Sequence, residues 1–350
     1  ARDNDPGISS AWGELRHALS LISEKPRPLR AKPMVGQLPK RAKWHLDIIA
    51  RALAYLRPIR ARRGSIYVNV SHTGLDQPRV LARLRESGVA PVVMVHDLIP
   101  IGYPEYCAPG AEARHLRRIR EVIDHAALVI TNSATTADDL SSYARDTCRL
   151  EPAIEVAPLG LEVDFLNPPS SWSAPRPYFV CVGTLEARKN IAFLLTLWRK
   201  LAERRGSDAP RLVLVGRRGW ENESVLDHLQ RSKAVINLVH EVSDLTDQEL
   251  AQLVSGATAL LSPSLAEGFD LPVVEALSLR TPVIASDIPV HRELAGGSAK
   301  LVDALDGPAW LDAIDAAITS NERGPYYAGP TWAAHFEKVR SGLSALATQP

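Results

Sequence analysis

The chain has 350 residues, 45% hydrophobic and 23% charged, enough apolar material for more than one compact core. Its 41 Lys and Arg against 40 Asp and Glu leave a formal net charge of +1, so no global basic field argues for nucleic acid. Cys107, Cys148 and Cys181 lie far apart with no C-x-x-C, which excludes a disulfide framework or a zinc site as the organising feature.

Residues 1–65 hold no convincing strand, although "DPGISS" (5–10) contains a glycine. A doubly wound domain usually opens with a strand, so the N-terminal sheet is expected to be incomplete. "ARDNDPGISS" does not read as a signal peptide, and no run approaches the roughly 18 apolar residues that span a bilayer. The expected compartment is the cytoplasm. Within residues 39–63, Lys40, Arg41, Lys43, Arg51, Arg57, Arg60, Arg62 and Arg63 face a single Asp47, while Trp44, Ile48, Ala52 and Tyr55 recur at helical spacing. Such a basic amphipathic helix can lie peripherally on the inner face of an anionic membrane; packing its apolar stripe on a sheet is the equal alternative.

From Ser65 onward, short aliphatic runs alternate with helical patterns, the signature of parallel sheets wrapped by helices. The strand candidates are 66–70, 92–95, 128–131, 154–157, 178–182, 212–215, 235–239, 259–262, 283–286 and 300–302. Ten strands exceed one small unit. The stretch "NPPSSWSAPRP" (167–177) is dense in proline and serine, as a linker would be. The reading is therefore an α/β protein with an N-terminal domain over 1–166, a hinge at 167–177 and a C-terminal domain over 178–330. Polar residues follow the strands directly: His96 and Asp97, Asn132 and Ser133, Gly183 and Thr184, Gly216, and Ser262 to Ser264. These are the strand ends that form ligand crevices in open α/β sheets, so two such domains would hold a ligand between them.

In "SPSLAEGFDLPVVEALSL" (262–279), a buried strand runs into a turn and then a helix, with Pro272 at its start. Glu275 is expected in the first turn of that helix and Glu267 in the loop before it. A helix start attracts anions and carboxylates accept sugar hydroxyls, which suits a sugar joined to a phosphate. In "VGTLEARKN" (182–190), Arg188 and Lys189 follow a strand and a glycine, where a guanidinium and an ammonium can grip a diphosphate. Each piece alone also fits a solvated loop.

Together these residues resemble the retaining nucleotide-sugar glycosyltransferases of the B-type fold, in the large family 4. Glu267 and Glu275 match its E-x7-E motif and "EARKN" its basic pair; "HDLIPIGYPEY" (96–106), "ITNSATTADDL" (130–140) and "EVSDLTDQEL" (241–250) are similar in order and spacing. The resemblance implies two Rossmann-like domains facing a cleft, and a terminal helix, 331–346, crossing back to the first. It implies that Arg188 and Lys189 bind the donor diphosphate with Gly183 and Thr184 beside it, that Glu275 holds the ribose and that Glu267 meets the donor sugar. The backbone of Gly268, Phe269, Asp270 and Leu271 would approach sugar and phosphates, Val242 would flank the base, and His96 would lie near the anomeric centre. The family usually has glycine where Asp270 stands. Relatives also begin with a strand and a glycine-rich loop that leans on the donor phosphates.

The implied reaction retains anomeric configuration and needs a stabilised departing diphosphate rather than a protein base. No D-x-D follows any strand and no histidine cluster has metal-ligand spacing, so a metal-independent enzyme without cofactor is expected. The acceptor side falls to His72, Tyr103, Glu105 and Tyr106, with Asn132 and Ser133, which equally suit an N-cap. "HDLIPI" followed by "PEY" is similar to bacterial polysaccharide mannosyltransferases that use GDP-mannose. The expected partners are a nucleoside-diphosphate sugar and a glycan or lipid-linked acceptor. The alternatives are a non-catalytic nucleotide-binding subunit, or an epimerase or phosphorylase on the same fold; no G-x-G-x-x-G follows a strand to favour an oxidoreductase.

Overall fold

The computed structural model describes residues 10–20, 62–167, 174, 175, 177–219, 222–320 and 322–347. Two all-parallel sheets carry it. The first has order β1-β2-β3-β4, from Ile66–Asn69, Ala90–Val95, Leu128–Thr131 and Ile154–Val156. The second has order β10-β9-β8-β5-β6-β7, from Tyr178–Val182 (β5), Arg211–Val215 (β6), Val239–Val242 (β7), Ala259–Ser262 (β8), Val283–Ser286 (β9) and Lys300–Val302 (β10). In the second sheet the chain builds outward from β5, then returns to its other side at β8. That reversal opens a crevice between β5 and β8 at the strand C-termini.

The inner strands read as unbroken apolar runs because helices cover both faces. Phe179, Leu212, Leu214 and Leu261 pack with Leu194, Trp198 and Trp310 on one face, while Val180, Val213, Val215 and Leu260 pack with Val273, Val274 and Leu277 on the other. Each such fully buried side chain is worth roughly 1.5–3 kcal/mol of transfer free energy. One strand differs from its expected position: the apolar run 235–239 predicts a strand, but β7 begins at Val239. The residues before it form turns, with Val235 buried and accepting from Leu238 and Val239 through its carbonyl. An apolar cluster of four to five residues cannot by itself distinguish a buried turn from a strand.

Two domain boundaries are corrected. The helix Ser10–Ser20, assigned with residues 1–166 to the first domain, packs on the second: Trp12, Leu15 and Leu19 join the β5–β8 core, and Arg211 donates to the carbonyls of Ala18 and Leu19 at 2.8 and 2.6 Å. The crossing also precedes the proline-rich stretch. Leu161 and Phe165 are already in the second domain's core, so the chain passes over near Gly160. There it meets the returning segment. Leu161 N donates to Pro330 O at 3.0 Å, and a Cβ on Gly160 would lie 2.2 Å from Trp332 N. The helix Trp332–Ala347 then lies on β3 and β4, with Val339, Leu343 and Leu346 against Val92, Met94 and Ile130. The segments expected to hold a leading strand and a glycine loop, and most of the basic stretch over 39–63, lie outside the described residues, as does 168–173 of the proline-rich stretch.

Candidate active site at the domain junction

Backbone geometry at two neighbouring strand ends admits only glycine. Gly183 follows β5 with φ 144°, and Gly216 follows β6 with φ 151°. A Cβ on Gly183 would lie 2.9 Å from Lys189 Cε, and one on Gly216 would lie 2.0 Å from Gly183 O. With no side chain in the way, the chain tightens into a 3-10 turn over Ala187–Lys189, then enters the helix Ile191–Arg205 through Asn190 in the left-handed conformation. This turn delivers Arg188 and Lys189 beneath the loop that follows β8. Leu265 N donates to Arg188 O at 2.9 Å, and Arg188 Nη1 donates to Ala266 O at 2.9 Å.

Arg188, Lys189, His291 and three carboxylates meet there. Glu267 bridges the basic pair, with Oε2 2.5 Å from Arg188 Nη1 and Oε1 2.6 Å from Lys189 Nζ. Glu186 accepts from Arg188 Nη2 at 2.7 Å. Asp270 takes Lys189 Nζ at 3.1 Å, Ser262 Oγ at 2.5 Å and His291 Nε2 at 2.9 Å. Burial alone would neutralise Lys189, but Asp270 and Glu267 reverse this and raise its pKa. Burial would likewise raise Asp270; Lys189 and His291 pull it well below the usual carboxylate range. For Arg188 burial is again outweighed, here by Glu267 and Glu186, so the pKa rises.

The first domain closes over this loop. A Cβ on Gly268 would stand 2.3 Å from His96 O, so only glycine allows the approach. Ser133 caps the helix Ala134–Asp146, accepting from Thr136 N at 3.1 Å, and donates across the junction to Gly268 O at 2.8 Å. Thus the N-cap and junction roles coincide in one hydroxyl. Glu293, from the helix Pro289–Ala295, seats its carboxylate on the free amides of Ala134 and Thr135 at 2.7 and 2.8 Å. That is a charge-assisted clasp between the domains.

The structure brings together Gly183, Arg188, Lys189, Glu267, Gly268 and Asp270, with His96 against Gly268 from the other domain. His96 Nε2 bonds Val70 O at 2.7 Å, and its ring lies edge-on to His72, centroids 5.4 Å apart. Burial, then His115 and His96, lowers His72 to about 4. Tyr103 and Tyr106 stack at 6.1 Å on the first domain's rim, near Glu105. Thr184 is exposed and Asn132 is buried. Glu275 stands in the second turn of Leu271–Ser278, a correction of its expected first-turn place: Leu271 is the first helical residue, and Pro272 follows it. Burial, Asp247 and Asp270 raise Glu275 to about 7. Val242, expected to flank the base, ends β7 with its side chain inside the core. Phe269 packs its side chain in the same core, which leaves the expectation for its backbone as it stood.

Glu186, His291 and Glu293, to which sequence reasoning gave no role, and Ser262, read only as a polar strand-end residue, complete the network. His291 and Glu293 lie within the helix Pro289–Ala295 rather than directly after β9, so the strand-end pattern that marks His96 does not mark them. A cleft of about 420 Å³ adjoins Glu267, lined from one side by Ile99, Tyr103, Asp139 and Tyr143 and from the other by Ile288 and Val290. A second cavity of about 500 Å³ lies at the opposite strand ends, by Tyr178 and Pro282, away from the phosphate-type residues. Among the described residues no helix is long and apolar enough to cross a membrane, and no group of three His, Cys, Asp or Glu could hold a metal.

Two facing parallel-sheet domains with a polar junction at their strand C-termini match the B-type fold of solved glycosyltransferases. Its solved counterparts include the Anabaena HepE protein in complex with UDP and glucose (TM-score 0.64, 17% identity, 90% of this chain and 84% of that one). Sucrose-phosphate synthase from Thermosynechococcus elongatus is another (TM-score 0.61, 20% identity, 93% and 84%). Residues 176–320 match the family described as glycosyl transferases group 1. Serotype-specific mannosyltransferase WbdA of Escherichia coli is 30% identical over 227 residues, covering 61% of this chain and 28% of that protein. O-antigen chain mannosyltransferase RfbU of Salmonella typhimurium is 30% identical over 230 residues, covering 63% and 59%. The matched part is thus under a third of WbdA and about 59% of RfbU.

Proposed function

We propose that the protein is a retaining, metal-independent glycosyltransferase that moves a hexose from a nucleoside diphosphate to a glycan or lipid-linked acceptor. Bacterial polysaccharide assembly is the setting, with mannose from GDP-mannose as the donor. The observation that carries the reading is the Arg188–Lys189 pair, held at the β5–β8 crevice and bridged by Glu267. Mannosyltransferase relatives support the sugar; a fold counterpart in complex with UDP leaves the base to experiment.

The chemistry follows from charge. A diphosphate competes with Glu267 for both cations and stabilises its own departure through them, while Glu267, displaced, accepts a donor-sugar hydroxyl. Arg188 supplies a planar fork and Lys189 a point charge, so each holds a different part of the leaving group. Asp97, whose carboxylate caps Ile99 N at 3.0 Å, fixes the loop that presents His96 toward Gly268. The acceptor enters along the cleft between Tyr103 and Ile288, whose apolar walls suit the carbon faces of a sugar.

A thermal-shift panel of GDP, UDP, ADP and dTDP, followed by transfer from the matching sugar nucleotide, tests this. At 100 times Kd, a ligand adds about 2.7 kcal/mol of apparent stability. A shift with one base and transfer of its sugar is the expected result. No shift with any of the four overturns the enzyme and favours a non-catalytic subunit.

A further inference from the structure

Asp270 is a buried acid at the start of a helix that, on the proposed reading, faces a diphosphate. Its φ of 61° lies in the left-handed region, which aspartate tolerates better than most residues. A carboxylate at that place repels phosphate unless something carries its charge. Lys189 cannot do so fully, since it also faces Glu267 at 2.6 Å and is the group proposed to meet the diphosphate.

His291 is fully buried and bonded at both ring nitrogens. Nδ1 lies 2.8 Å from the Ser286 carbonyl and Nε2 lies 2.9 Å from Asp270 Oδ2. Both partners are acceptors: a carbonyl has no proton, and Asp270 already takes donors from Lys189 and Ser262. A neutral imidazole has one N–H and would set a lone pair against one of those oxygens. Only the imidazolium satisfies both contacts. The groups facing it are Asp270 from the helix start and the Ser286 carbonyl from β9, with Glu267 adding a longer-range negative charge. Burial opposes its charging, and the Asp270 bond outweighs burial and raises its pKa.

We propose that His291 is a resident counter-cation: it neutralises Asp270, so that Asp270 orients Lys189 through its other oxygen without consuming the charge that Lys189 offers to the donor diphosphate. This deepens the donor-site reading and rests on it. His291 and Asp270 are positioning residues, acting through Lys189. The arrangement accounts for an aspartate where a glycine would bring no repulsion: the acid adds a fixed anchor for the lysine, and the histidine removes its cost.

The first experiment is ¹⁵N–¹H spectroscopy of the imidazole side chains in the full chain at pH 7.5. Both His291 nitrogens are expected to be protonated; a singly protonated ring overturns the proposal. The second compares affinities for GDP and UDP. His291→Gln is expected to weaken the nucleotide that wild type binds by on the order of 10- to 100-fold, as loss of one partner of a buried charge pair does. The double variant Asp270→Gly with His291→Gln is expected to recover to within about 3-fold, because the uncompensated charge is gone. Unchanged affinity in His291→Gln, or no recovery in the double variant, overturns the proposal while leaving the donor site intact. If wild type binds neither nucleotide, the donor-site reading itself falls and this role for His291 falls with it.

Discussion

Glu275→Gln separates the charge of a half-buried carboxyl from its shape. In the folded protein, burial, Asp247 and Asp270 raise Glu275 from 4.5 to about 7. A shift of that size corresponds to roughly 3 kcal/mol. The sign follows from proton linkage: the folded state binds the proton more tightly, so this contribution to stability is fully present below about 4.5 and is lost as pH rises through about 7. Glutamine cannot ionise. The stability of Glu275→Gln relative to wild type is therefore expected to rise by roughly 3 kcal/mol between pH 4.5 and pH 8. Urea unfolding of both proteins across that range measures it, with the two domains followed by separate probes because two-state behaviour is not assured. Parallel pH profiles would refute the reasoning. The same carboxyl carries the ribose assignment. Hydroxyls donating to it favour the ionised form, so nucleotide binding at pH 7 is expected to release about half a proton. Calorimetry in buffers of different ionisation enthalpy reads that release, and Glu275→Gln should abolish it.

Lys189→Ala and Glu267→Ala are each expected to lose most turnover while remaining folded. The lysine variant also strips partners from Asp270 and Glu267, so its unfolding free energy should fall by about 3–5 kcal/mol; wild-type-like turnover in either variant would sink the site assignment. Gly268→Ala is expected to hold the domains apart, because its Cβ would meet the His96 carbonyl 2.3 Å away. The strain is about 1–3 kcal/mol against the closed arrangement, and small-angle scattering identical to wild type would contradict it. Glu293→Gln keeps the shape but removes the charge at the amides of Ala134 and Thr135, costing about 1 kcal/mol of closure. Scattering at low ionic strength should show a more open average, whereas an unchanged profile would assign the clasp no energetic role.

Much of this molecule is local chemistry and so was legible in the residues. Strands such as Tyr178–Val182, Ala259–Ser262 and Val283–Ser286 emerge as uninterrupted apolar runs closed by polar residues, because a strand buried on both faces leaves no polar position. The basic pair and the two glutamates announce themselves by residue type and spacing, and they follow the C-terminal ends of β5 and β8. What periodicity could not reach is whatever depends on elements distant in sequence. Leu161, Phe165 and the Ser10–Ser20 helix belong to the second domain although the proline-rich stretch follows them, since a core is chosen by which surfaces meet, not by where prolines fall. Glu275 moved to the second helical turn because the turn at Asp270 sets where helical geometry begins. The pairing of Asp270 with His291, across 21 positions, and of Glu293 with the helix at Ala134, across 159, had no trace in spacing. Residue types alone determined that this chain builds parallel sheets whose strand ends carry charged and polar residues. Tertiary packing alone decided which charges neutralise one another there, because burial makes a charge depend on every neighbour that the fold brings within a few ångströms.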